Sequence, residues 1–116
     1  MGWKAAERES ARRLGGQRVP ITGRVRGSAP DHTTAGDLWS VEMKMRKAFP
    51  KWLLEALEQA IASQEQGAGR WPLVILHPKG RRYEDDLMIL RRKDFEEIHT
   101  LLLSCFQDDT QDGTIG

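Results

Sequence analysis

With 116 residues and 13.2 kDa, the chain has the size of one domain with a modest core, so any second active site has to come from a second copy. Charged residues make up 30%, and the net charge of +1 hides an asymmetry: residues 1–51 carry 11 Lys/Arg against 5 Asp/Glu and residues 52–116 carry 7 against 12, which suits either a polyanion on the basic half or ordinary solvated helix surfaces. Cys105 is the single cysteine and excludes an intramolecular disulfide, apolar runs such as Leu73–Leu76 are too short to span a bilayer, and Met1-Gly2-Trp3-Lys4 has no apolar signal core, so the expectation is a soluble cytoplasmic protein without a membrane partner.

Residues 3–14 read as a first helix, with Trp3, Glu7, Ser10/Ala11 and Leu14 on one stripe and Gly15-Gly16 as its stop. Glu7 is the unusual member of that stripe. It is either a helix carboxylate paired with a neighbouring Arg or part of a site, because a buried carboxylate needs a partner or a metal. Residues 17–21 suit a short strand, and Thr22 to Ala29 form a Gly- and Arg-rich loop. Arg24 and Arg26 lie between glycines, so the loop is either an ordinary solvated turn or one that approaches phosphates closely.

A hairpin is expected over residues 31–46. Asp31 opens its first strand, Thr33-Thr34-Ala35-Gly36 turns the chain, and Glu42 and Lys44 share one strand face while Val41, Met43 and Met45 share the other. Asp31 then folds back beside Glu42, giving hard oxygen ligands suited to Mg²⁺ next to a lysine. Asp37 is assigned to the turn, since five residues from Asp37 to Glu42 leave no room for a hairpin.

Pro50 opens a second helix with Leu53, Leu54, Leu57, Ala60 and Ile61 as its apolar stripe and Gly67-Ala68-Gly69 as its stop. Gln59 beside that stripe is either surface or a support for the site. Trp71–His77 and Tyr83–Arg91 read as two strands joined through Pro78-Lys79-Gly80. A last helix starts at Asp94 as N-cap, with Glu97 three residues on, and buries Phe95, Ile98, Leu102 and Cys105/Phe106. Residues 1–106 form the expected single domain and 107–116 a flexible acidic tail. The order is α, β-hairpin, α, β, β, α, an α/β arrangement with helices on the faces of a sheet.

Pro30-Asp31 followed by Glu42-Met43-Lys44, with Glu7 on an upstream helix, resembles the PD-(D/E)XK nuclease superfamily, and within it the small homodimeric Holliday junction resolvases of archaea and their viral relatives. Ala6-Glu7-Arg8-Glu9 is similar to that family's opening helix motif. Arg18-Val19-Pro20-Ile21-Thr22-Gly23 is similar to its Arg…Ser-Gly segment, with Thr22 where the family carries serine, and Val41–Lys47 to its second strand and basic extension.

The resemblance implies a restriction-endonuclease-like core, a central mixed β-sheet flanked by helices, and Mg²⁺-dependent phosphodiester hydrolysis that resolves four-way DNA junctions. It implies that Asp31, Glu42 and the backbone carbonyl of Met43 ligate the metal, with Glu7 completing the set. Mn²⁺ is expected to substitute for Mg²⁺, and no small-molecule cofactor is expected. Lys44 would position the attacking water and Thr22 would touch the scissile phosphate. Arg8, Arg18, Arg24, Arg26, Ser28, Arg46 and Lys47 are the implied DNA contacts, and a homodimer the implied working unit, in a prokaryotic or virus-infected cytoplasm. Trp39, Phe49, Trp52 and Trp71 suit either the dimer interface or the core. The alternatives are another nuclease of this superfamily, acting on flaps, mismatches or phage replication intermediates, and a DNA-binding module with a decayed site.

Overall fold

The computed structural model describes residues 2–20 and 29–115, with side chains as far as residue 106. Helix and sheet are mixed: the described residues form three α-helices, α1 (Trp3–Arg13), α2 (Lys51–Glu65) and α3 (Arg92–Ile115), and a small antiparallel sheet of β1 (Val74–Leu76) and β2 (Leu87–Ile89). The chain divides into two units, Met1–Met45 with Glu96–Gly116, and Arg46–Phe95.

In the first unit, α1 buries Glu7, Ser10 and Ala11, with Leu14 just beyond its end, as the stripe spacing predicts. The helix stops in a Schellman motif: Gly15 takes φ +75°, its N–H donates to Arg12 O at 3.1 Å, and the Gly16 N–H reaches back to Ala11 O at 2.8 Å. Gly16 then passes so close to Thr33 that a Cβ there would lie 1.9 Å from the Thr33 carbonyl oxygen. Only glycine allows that approach.

The approach starts a short ladder of two isolated bridges, where the sequence predicts regular hairpin strands over residues 31–46. Thr33 N–H donates to Gln17 O at 2.8 Å and Val19 N–H to Asp31 O at 2.9 Å, making Arg18 and His32 an antiparallel pair. On its other side His32 bridges Val41, with Asp31 N–H donating to Val41 O at 2.7 Å. The connecting turn is a 3₁₀ segment over Ala35–Asp37, slightly later than the sequence predicts, with positive φ at Gly36 and at Asp37. Aspartate is among the residues that tolerate this region. From α3, Glu96 takes two hydrogen bonds from the Arg13 guanidinium at 2.6 and 2.9 Å, and His99 Nδ1 accepts the Trp39 indole N–H at 3.0 Å. The Glu96 carboxylate raises the pKa of Arg13 above its ordinary value.

In the second unit, α2 packs on β1, and β1 pairs with β2 in the register Val74↔Ile89, Ile75↔Met88, Leu76↔Leu87. The inner stripe of α2 contains Leu53, Leu57, Ala60 and Ile61 as predicted, whereas Leu54 is exposed. The strands are shorter than the sequence predicts. Tyr83–Asp85 forms a 3₁₀ turn closed by Asp85 N–H to Arg82 O at 3.0 Å, because Glu84-Asp85-Asp86 is a poor strand sequence beside an available turn.

Two expectations for α3 are corrected. The helix starts at Arg92, not after an Asp94 cap: Asp94 N–H already donates to Arg91 O at 3.1 Å, and the Asp94 carboxylate is taken up by Arg91 Nε at 2.8 Å. An acid in the first turn suits the helix dipole without capping the end. The inner face ends at Leu103, which lies against Gly36, while Cys105 and Phe106 are exposed. Helical backbone runs to Ile115. Among the described residues no helix is long and apolar enough to cross a membrane.

Candidate functional site

Among the described residues, the first unit buries more polar than apolar side chains. Of those described, Ala11 and Leu14 are the buried apolar residues, against Glu7, Ser10, Asp31, His32, Thr34 and His99. Buried polar groups cost stability unless bonded, and a concentration of them in a small unit marks a site for which the sequence sacrifices core packing.

Asp31 is held from three directions. Its backbone bonds to Val19 on one side and Val41 on the other, and its carboxylate Oδ2 accepts the Met43 N–H at 2.6 Å. The His32–Val41 bridge sets Asp31 in register with Glu42 on the neighbouring segment. Beyond it the predicted alternation holds over three residues: Met43 is half-buried between the exposed Glu42 and Lys44, which pair with each other at 3.1 Å, whereas Met45 lines the same pocket as Met43 but is 49% exposed.

That pocket, of about 40 Å³, is lined by Trp3, Ala6, Glu7, Met43 and Met45. It has room for an ion or a water. Met43 therefore has the Asp31 carboxylate on its amide and Glu7 on the pocket it shares with α1. Glu7 is 6% exposed and accepts Arg18 Nε–H at 2.9 Å. The Arg18 guanidinium also lies over the Trp3 ring, 5.2 Å from its centroid, within cation–π range. The partner of Glu7 is thus an arginine from the ladder, not one from its own helix, and Arg18 spends a donor on a carboxylate where a phosphate contact was expected.

Two residues that sequence reasoning missed brace the ladder against α1. His32, fully buried, takes Ser10 Oγ at 2.8 Å on Nε2 and donates Nδ1–H to Thr33 O at 2.7 Å. The carbonyl can only accept, so it fixes a proton on Nδ1. The signal for Ser10 was its place on the inner stripe of α1. For His32 the signal was its position between Asp31 and Thr33 in a strand that had to meet that helix.

The remaining expected site residues are spread more widely. Arg8 is exposed on α1; Arg46, Lys47 and, on α2, Gln59 are exposed in the second unit. Thr22, Arg24, Arg26 and Ser28 lie outside the described residues. Of the tryptophans proposed for an interface, Trp39 is tied to His99 and Trp71 stacks under Arg70, while Trp52 is exposed, as is Phe49.

Among the described residues no three His, Cys, Asp or Glu side chains converge as a ready-made metal cage. The donor chemistry nonetheless suits Mg²⁺, which keeps several waters and takes one or two carboxylates. Asp31 and Glu42 are the carboxylates in backbone register on adjacent segments, Asp31 buried with Oδ2 on the Met43 amide and Glu42 exposed beside Lys44. Compared with known proteins, the chain matches no family model, no curated protein and no solved structure.

Proposed function

We propose that this chain is a metal-dependent, structure-selective DNA endonuclease with a PD-(D/E)XK core, resolving four-way junctions by paired phosphodiester hydrolysis as a homodimer. The observation that carries the reading is the polar centre itself: a pinned, buried Asp31 in register with Glu42, an exposed Lys44 beside Glu42, and a second buried carboxylate, Glu7, across Met43. These four residues lie within one unit, Glu7 on α1 and the other three on or just beyond the bridged segments.

In this reading Asp31, Glu42 and the Met43 carbonyl hold Mg²⁺, with Mn²⁺ as a substitute, and Glu7 completes the set. The bound ion supplies a polarised water and offsets negative charge on the phosphate. Asp31 is oriented by the Met43 amide, which occupies one carboxylate oxygen and so limits the rotation of the other. Lys44, which pairs with Glu42 at 3.1 Å, would position the attacking water or stabilise charge at the phosphorus. Thr22 touches the scissile phosphate, and Arg8, Arg18, Arg24, Arg26, Ser28, Arg46 and Lys47 hold the backbone, reading shape more than sequence. One constellation in 116 residues meets two equivalent scissile strands only as a two-fold dimer.

The test compares a four-way junction with a linear duplex of the same sequence, each with Mg²⁺ and with a chelator. Mg²⁺-dependent cleavage of the junction in preference to the duplex supports the reading. Cleavage of flaps in preference to junctions moves it to another nuclease of the same class, and binding without cleavage to a module that has lost its chemistry.

A further inference from the structure

We infer that the segment from Arg46 to Trp52, which leads into α2, is a binding surface for unpaired DNA: Phe49 and Trp52 stack on nucleobases while Arg46, Lys47 and Lys51 hold the adjoining phosphates. The choice of DNA over RNA rests on the nuclease reading above, in which Arg46 and Lys47 are backbone contacts only. The stacking surface is additional to that reading and belongs to the second unit, whereas Asp31 and Glu42 belong to the first.

Two observations carry it, and the first is aromatic exposure. Pro50 is the N-cap of α2, and Leu53 opens the inner stripe of that helix. Trp52 stands one residue earlier, about 100° round the helix, and remains 58% exposed, while Phe49, just outside the helix, remains 57% exposed. A hydrophobic staple of Phe49 on Leu54 does not explain this, since Leu54 is itself 42% exposed and Trp52 takes no part in such a contact. Two large rings left in water side by side in the chain mark a surface that the folded unit does not use for its own packing. Three residues of chain keep their Cα atoms within about 10 Å of each other, so one short strand can reach both rings.

The second observation is charge. Every residue from Arg46 to Trp52 is exposed, and no Asp or Glu stands between Glu42 and Glu55, so Arg46, Lys47 and Lys51 form a run of one sign interleaved with the two rings. Lys51 meets Glu55 at 3.7 Å with side chains 91% and 56% exposed, a pair too solvated to hold the lysine back from a phosphate. The run is complementary to a polyanion. A second copy docked here about a two-fold axis instead sets these cations against themselves. Duplex DNA conceals its base faces in the stack, so rings interleaved with cations select strands whose bases are unpaired, the rings taking the bases and the cations the backbone.

The test is fluorescence anisotropy of labelled oligothymidylate of about 12 nucleotides, an abasic strand of the same length and a duplex of the same length, each titrated with the full chain in the presence of a chelator so that binding is read without cleavage. Stacking predicts that wild type binds oligothymidylate at least about tenfold more tightly than the abasic strand, which has the same phosphates and no bases. Trp52→Leu and Phe49→Leu should each weaken oligothymidylate binding by about tenfold and leave the abasic strand unaffected, and Trp52→Tyr, which keeps a ring, should restore most of the affinity. Replacing Arg46, Lys47 and Lys51 together by Gln should weaken both single strands alike and reduce the slope of log affinity against log salt by about two. If Trp52→Leu fails to fold by circular dichroism, Phe49→Leu and the wild-type comparison of the two strands decide. Equal wild-type affinity for oligothymidylate and the abasic strand, or ring variants that bind as wild type does, overturns the proposal. So does tighter binding to the duplex or to oligouridylate, binding to phosphatidylserine vesicles in place of oligothymidylate, or ring variants that only turn a dimer into a monomer by sedimentation. Junction cleavage without preference for bases over the abasic strand leaves the nuclease reading standing and removes this surface; that preference without junction cleavage does the reverse.

Discussion

Replacing Asp31 by Asn and by Ala separates its structural contact from its chemistry. The Asp31 carboxylate accepts the Met43 N–H at 2.6 Å in a position only 7% exposed. Asn keeps an acceptor of the same shape, so the contact falls from a charge-assisted to a neutral hydrogen bond, a loss of about 1 kcal/mol. Ala removes the acceptor and leaves a half-buried amide unbonded, which costs about 2–3 kcal/mol. With a urea slope of about 2 kcal/mol per molar, the unfolding midpoint should fall by about 0.5 M in Asp31→Asn and about 1–1.5 M in Asp31→Ala, at unchanged slope. Cleavage should behave differently: under the proposed function both variants lose a metal ligand, and a loss of about 4 kcal/mol of transition-state stabilisation corresponds to roughly a thousandfold. The assays are urea unfolding followed by tryptophan fluorescence and single-turnover cleavage of a labelled junction. Asp31→Asn that cleaves within tenfold of wild type, with activity lost instead in Asp37→Asn, refutes the choice of aspartate. Equal stability of the Asn and Ala variants refutes the structural role of the Met43 contact.

Other changes probe the frame and the DNA contacts. Gly16→Ala places a Cβ against the Thr33 backbone and should cost about 3 kcal/mol by urea unfolding, whereas Gly2→Ala, with nothing within 4 Å, should leave stability unchanged; equal effects would mean the ladder is not seated against α1 as described. Replacing Arg24 and Arg26 together with Ala should weaken junction binding and reduce the slope of log affinity against log salt by about two phosphate contacts, and an unchanged slope would place the loop away from DNA. Mixing wild-type chains with an excess of Glu42→Gln chains should give heterodimers that bind junctions and nick one strand only. A monomer by sedimentation, free and on the junction, would remove the basis for paired cutting.

What the sequence revealed follows the range of its interactions. The helical period of α1 placed Glu7, Ser10, Ala11 and Leu14 on the buried side, and Gly15-Gly16 marked the stop, because both signals are local. Strand alternation separated the exposed Glu42 and Lys44 from Met43 for the same reason, though it did not foresee that Met45 is half-exposed. The Glu7–Arg18 and Ser10–His32 pairs were not legible, since they join residues 11 and 22 positions apart that only the ladder brings to α1. At Asp94 a sound local signal gave the wrong helix start because the carboxylate it relied on is bonded to Arg91. At Tyr83–Asp85 an extended reading gave way to a turn that three consecutive acids favour.

The most direct measurement is cleavage of a four-way junction with each of its four strands labelled in turn, resolved on a denaturing gel with Mg²⁺ and with a chelator. The account predicts cuts in two opposed strands, present with Mg²⁺, absent with the chelator and absent in Asp31→Asn. No cleavage by the folded wild-type protein, or cleavage that survives both the chelator and Asp31→Asn, would contradict it.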